Sequence, residues 1–148
     1  MKSDRLTIAL RFADTFALAE GTIQAHQDVI NRLGFVWYGK LGSKVSLKVA
    51  KNILSNEIPR ILLIHSGKTG RYWAYTEEIR FDIPPKNEIP SYYRENAHKF
   101  KTWFKIIKIE EAPKTILRDC MVISFHKPLS EASKYSMSPY FIISEERE

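Results

Sequence analysis

The apolar run Ile61-Leu62-Leu63-Ile64 constrains this chain most. It is bounded by Pro59 on one side and by Ser66-Gly67 on the other. An uninterrupted run of that length between turn residues predicts a central strand over Arg60–His65, covered on both faces. The glycine-containing segment Ser66–Gly70 then predicts a turn, and Arg71–Phe81 the returning strand of a hairpin. The run is far too short to cross a bilayer, so the chain must cover both faces of this strand with its own elements.

Those elements are legible on either side. Leu6–Phe12 alternates and reads as a strand. Residues 19–33 read as a helix, with Ile23, His26, Ile30 and Leu33 on one face and Gly34 in the position of a helix-ending glycine. Phe35–Tyr38 reads as a short strand and Gly39–Lys44 as a loop. Ser46 is placed to cap a second helix over Leu47–Leu54, which Pro59 stops. Asp82–Lys99 is a long proline-containing segment without a period, and Tyr92 and Tyr93 in its middle argue against disorder. Phe100–Ile109, Met121–Phe125 and Tyr140–Ile143 read as strands, and Leu129–Lys134 as a helical turn. The expected fold is therefore α+β: a small, mostly antiparallel barrel of about six strands with two or three helices packed around it. At 148 residues it forms one domain. The ending Glu145-Glu146-Arg147-Glu148, just after a strand, would suit the N-terminal part of a longer protein.

Gly34-Phe35-Val36-Trp37-Tyr38-Gly39-Lys40 concentrates three aromatics, two glycines and a lysine. It reads either as core packing or as a surface that stacks a flat ring and holds a phosphate. The charge bears on that choice. Twenty-three Lys and Arg against 17 acids leave a net charge of +6, which suits a polyanionic partner or simply a soluble basic surface. Lys40, Lys44, Lys48 and Lys51 recur along the loop and second helix, with the last three at a spacing that places them on one helical face, either as a solvated face or as phosphate contacts.

Catalytic patterns are not found. Gly67-Lys68-Thr69 matches the end of a phosphate-binding P-loop, but Leu62 stands where its first glycine belongs and no helix follows. His26, His65, His98 and His126 have no metal spacing. His65 and Ser66, adjacent on a strand, point to opposite faces. Cys120, the lone cysteine, forms no internal disulfide and reads as a small core residue, in keeping with a cytoplasmic protein. No signal-peptide pattern follows Met1, and neither a metal nor a cofactor is expected.

The order of these features resembles a known family. A helix ending at Gly34, then Val36-Trp37, a short helix, the strand to His65-Ser66, Gly70-Arg71-Tyr72 opening the next strand, an aromatic loop and Phe104-Lys105-Ile106 is similar to YTH domains and their EVE relatives in the PUA-like superfamily. The likeness spans residues 20–115. It implies that Trp37 is one wall of an aromatic cage around a methylated adenine, that Tyr38 offers backbone to the base, and that Tyr92 or Tyr93 supplies the second wall. Trp73 and Ser66 complete the implied base-binding set. Lys40, Lys44, Lys48, Lys68 and Arg71 form the phosphate-binding set.

Domains of this kind occur in McrB-type subunits of modification-dependent restriction systems. The implied function is thus a non-catalytic reader of a modified base in DNA, with a GTPase domain in the same chain and a nuclease subunit as partners, and no membrane. An RNA-binding PUA-like module and a small enzyme centred on His65, Ser66 or His98 remain as alternatives.

Overall fold

A computed structural model describes residues 5–12, 21–41, 44–65, 70–90, 93, 97–113, 116, 120–122, 127–128 and 140–145. In chain order the elements are β1 (Arg5–Phe12), α1 (Thr22–Leu33), β2 (Val36–Leu41), α2 (Leu47–Ser55), β3 (Arg60–His65), β4 (Arg71–Arg80), β5 (Phe100–Glu111), β6 (Cys120–Val122), β7 (Lys127–Pro128) and β8 (Tyr140–Glu145). The strands form one sheet in the order β2-β5-β4-β3-β1-β8-β6-β7. Its first five strands curl into a mixed half-barrel against two helices.

Strand β3 has the place that its composition demands. It lies between β4, which it pairs antiparallel, and β1, which it pairs parallel. Ile61 and Leu63 enter one apolar cluster and Leu62 and Ile64 another, on the opposite face. Burial on both sides is why the run does not alternate. The parallel pairing of β1 and β3 requires a crossover, and the chain between them carries α1, β2 and α2. Both helices cover the inner face of the sheet. Val29 of α1 and Ile53 of α2 join Ile8, Leu10, Phe104 and Ile106 there.

Local signals account for the helix ends. Gly34 takes φ 87°, a left-handed conformation costly for other residues, and its N–H closes on the Ile30 carbonyl at 2.7 Å. The Ser46 hydroxyl accepts the Val49 N–H at 3.2 Å and caps α2. The hairpin also forms, with Arg60 opposite Tyr75 and Ile64 opposite Arg71.

Three expectations need correction. The sheet has eight strands rather than about six, and among the described residues no pairing joins β2 to β7, so its order is open. Strands β6 and β7, of three and two residues, are too short to show a period in sequence. Second, Gly39 and Lys40 are not loop residues but part of β2. Glycine is needed there for packing: a Cβ on Gly39 would lie 2.9 Å from ring atoms of both Phe100 and Trp103. Third, α1 begins at Thr22 rather than at residue 19. The helical turn read at Leu129–Lys134 lies outside the described residues.

The proline-containing segment folds back onto the sheet. Short 3-10 turns form at Lys86–Glu88 and Ala97–Lys99. Ile89, Tyr93 and Ala97 are buried against Trp37, Phe100 and Trp103 in a separate small core.

Candidate functional site

Strand β2 is the terminal strand of the sheet, and alternation along it divides the aromatic stretch. Val36 and Tyr38 enter the central core, whereas Trp37 joins the small core beside the 82–99 segment, with Phe35 packed partly against it. Trp37 is only 3% exposed. Its indole N–H donates to a Glu88 carboxylate oxygen at 3.0 Å. The Arg80 guanidinium carbon lies over its ring, 5.3 Å from the centroid. Two charge-assisted hydrogen bonds, 2.8 and 2.7 Å, tie the same guanidinium to Asp82. That pairing holds the Asp82 carboxyl below the usual carboxylate range.

Tyr93 belongs to the same small core as Trp37. Its ring stands edge-on to Phe100 and Trp103, with centroids 4.8 and 5.1 Å away. Its hydroxyl reaches around the edge of the sheet to accept the Gly39 N–H at 3.1 Å and to meet His26 Nε2 at 3.1 Å. An open strand edge is thereby covered by a side chain. The Gly39 bond also fixes the phase of β2. Backbone groups of alternate residues face opposite sides of a strand, so those of Trp37 and Gly39 face the open edge and those of Tyr38 face β5. A backbone contact to a ligand at this edge therefore falls to Trp37 rather than to Tyr38. The Tyr38 ring is buried 4.7 Å from His26, and burial raises its hydroxyl pKa.

The remaining sequence-derived residues are dispersed. Trp73 is buried on the outer face among Leu62, Ile64 and Ile116, with the Arg60 guanidinium 3.9 Å above its ring. It pairs with Glu110 of β5, whereas Trp37 pairs with Lys105. Five residues of β5 separate these positions, roughly 17 Å, and the two rings sit in different clusters, so Trp73 and Trp37 do not share a site. Lys40 is 5% exposed opposite Thr102, and burial lowers its ammonium pKa. That position does not present it to a phosphate at the surface. Lys44 and Lys48 are exposed, but Lys44 precedes α2 instead of sharing its face, and its ammonium lies 5.7 Å over the Phe81 ring. Arg71 opens β4, half-buried. Ser66, Lys68 and Tyr92 lie outside the described residues.

His65 packs edge-on to Phe12 at 5.0 Å, and His98 is exposed. Among the described residues no group of three His, Cys, Asp or Glu could hold a metal ion. No helix among them is long and apolar enough to cross a membrane.

Sequence reasoning missed Arg80, Glu88 and the role of His26. Only His26 left a signal, as a polar side chain on the apolar stripe of α1. The contacts of Arg80 and Glu88 depend on how the long segment folds back.

Chemically, the site offers a tryptophan ring fixed in orientation, a cation lying over it and a carboxylate at its edge. A flat ligand ring seated on Trp37 would take the place now filled by Arg80. Neither a curated protein nor a solved structure gives a significant match to this chain. The Pua-like family matches residues 8–147, nearly the whole sequence, and the chain belongs to that family.

Proposed function

We propose that this domain is a non-catalytic reader of a modified base, with methylated adenine in DNA favoured, which takes the flipped base onto Trp37. Pua-like domains are generally RNA- or DNA-binding modules without catalytic activity, and the net charge of +6 suits such a partner. The observation that carries the reading is the Arg80 guanidinium lying over the Trp37 ring while Glu88 holds the indole N–H. A cation already lies over the face that a base would need, and the ring beneath it is held in orientation by Glu88.

The energies are compatible with selective binding. Extruding a base costs a few kcal/mol. Stacking returns about 1–3 kcal/mol per base, and burying one methyl adds roughly 0.8 kcal/mol. Discrimination for the mark thus comes from close fit against rings rather than from charge. In this reading the domain is the specificity module of a modification-dependent restriction system, the N-terminal part of a longer protein with a GTPase domain and a nuclease subunit as partners.

The test is the affinity of matched methylated and unmethylated oligonucleotides, as DNA and as RNA, for wild type, Trp37→Phe and Trp37→Ala. Truncation to Ala removes a buried indole at a cost of about 3–5 kcal/mol, so circular dichroism must first show a folded chain. The expected result is a preference for methylated DNA that shrinks in Trp37→Phe and vanishes in Trp37→Ala. A folded Trp37→Ala that keeps the preference sinks the cage. A clear preference for RNA replaces the restriction reading with that of an RNA-binding module.

A further inference from the structure

Three segments meet at one end of the half-barrel. Lys40 and Leu41, ending β2, pair with Thr102 and Phe100 at the start of β5. Arg80, ending β4, pairs with Trp103. The chain leaving β2 is fastened there too, because the Val45 N–H donates to the Thr102 hydroxyl at 2.9 Å. This convergence places three exposed lysines around one rim. Lys44 lies over the Phe81 ring, Lys99 ends the 3-10 turn that leads into β5, and Lys101 is the second residue of β5. Of the acids nearby, Asp82 holds Arg80, Glu77 holds Lys105 and Glu88 accepts the Trp37 indole N–H, while Glu78 is exposed. Trp37 lies four residues up β2 from Leu41, roughly 13 Å away.

We infer that Lys44, Lys99 and Lys101 form a phosphate track, which takes the backbone of a nucleic acid whose base lies against Trp37. The inference rests on the nucleic-acid reading above, and Lys99 and Lys101 are additions to the phosphate-binding set. A polyanion is the occupant because the rim is cationic and its lysines are mobile point charges suited to phosphates along a backbone rather than to one shaped ligand. The track lies beside the aromatic cluster, so backbone contacts would set the register in which one base reaches the ring.

The experiment compares wild type, the triple variant K44Q/K99Q/K101Q and Lys108→Gln as a control at the far end of β5. The probe is a short single-stranded DNA carrying one N6-methyladenine, alongside its unmethylated twin. Affinity is measured across a salt series. Each lost phosphate contact makes the slope of log K against log salt shallower by about 0.7 on a single strand. The triple variant is therefore expected to lose about 2 from the slope while keeping its preference for the methylated strand, and Lys108→Gln to keep the wild-type slope. An unchanged slope in the triple variant, or an equal loss in Lys108→Gln, overturns the track and leaves the base reading standing. A reduced slope with no methyl preference in wild type supports the track and overturns the base reading. If wild type binds neither strand, nor the matching RNA, both fall.

Discussion

The hydroxyl of Tyr93 lies 3.1 Å from Nε2 of His26, a buried pair 67 residues apart in sequence. The neighbouring contacts fix the direction of every proton. His26 Nδ1 lies 2.8 Å from the Thr22 carbonyl, which only accepts, so Nδ1 carries the proton. Nε2 of the neutral ring must then accept, and the Tyr93 O–H donates to it. The hydroxyl oxygen in turn accepts the Gly39 N–H at 3.1 Å. One relay thus joins the edge strand β2, the aromatic segment and helix α1, and each of these atoms has its complement.

Removing the central hydroxyl should be costly. Tyr93→Phe keeps the ring contacts but deprives a buried imidazole nitrogen and a backbone N–H of this partner. Each such loss costs about 1–3 kcal/mol, so for two the variant is expected to be less stable by about 2–6 kcal/mol. Urea unfolding should show a lower midpoint at an unchanged m-value. An unchanged midpoint would mean that the relay contributes nothing.

The same relay makes stability depend on pH. Burial lowers the pKa of His26 from 6.5 to about 4, against a smaller raising effect of the Thr22 carbonyl. The unfolded chain therefore takes up a proton at a pH where the folded one does not. This contribution is fully present above pH 6.5 and is lost as pH falls from 6.5 toward 4. Its ceiling is about 3 kcal/mol, at 1.36 kcal/mol per pKa unit. Unfolding free energies of wild type and His26→Asn should therefore converge as pH is lowered from 7 to 5. Parallel curves would show that His26 does not carry the effect.

Helix α2 offers a smaller and cleaner test. Ser46 is exposed and its hydroxyl accepts the Val49 N–H, so Ser46→Ala loses the cap without opening a cavity. The expected cost is about 1 kcal/mol, roughly 3 °C in Tm for a chain of this size. Ser46→Asp should retain wild-type stability, because a carboxylate can accept the same bond. Equal melting of Ser46→Ala and wild type would discount the cap.

What could be read in advance was local. The run at Ile61–Ile64, the glycine at 34 and the serine at 46 act through neighbours in sequence, and β3, the end of α1 and the cap of α2 lie where those residues place them. Gly39 was illegible for the opposite reason. A glycine before a lysine reads as a turn, and only the rings of Phe100 and Trp103, some sixty residues on, make it a strand residue. Trp73 stands with Trp37 in the implied base-binding set, yet strand register sets them five residues of β5 apart and in different clusters. Tyr93 belonged to a segment without a period, so neither its place beside Trp37 nor its hydroxyl's reach to His26 could follow from spacing. The separate small core is a product of long-range closure, which leaves little trace in a periodic pattern.

Gly39 provides the most direct test of that closure. A Cβ there would lie 2.9 Å from Phe100 Cδ1, 2.9 Å from Trp103 Cζ3 and 3.0 Å from Phe100 Cγ. Neither ring is a flexible end that can swing aside. Trp103 is fully buried with its indole N–H on the Phe100 carbonyl at 3.1 Å, and both rings are wedged against Tyr93. Relief would require moving Tyr93, and with it the bonds to Gly39 and His26. Overpacking of this kind costs about 1–3 kcal/mol, and Gly39→Ala is expected to lose that much in chemical denaturation. Phe100→Ala removes the Cγ and Cδ1 atoms at the point of conflict. In a double-mutant cycle the pair should therefore be more stable than the sum of the single changes by at least 0.5 kcal/mol, the lower end of couplings between touching residues. Strict additivity would place the cost of alanine in the strand backbone instead and remove close ring packing as the reason that glycine stands at this position.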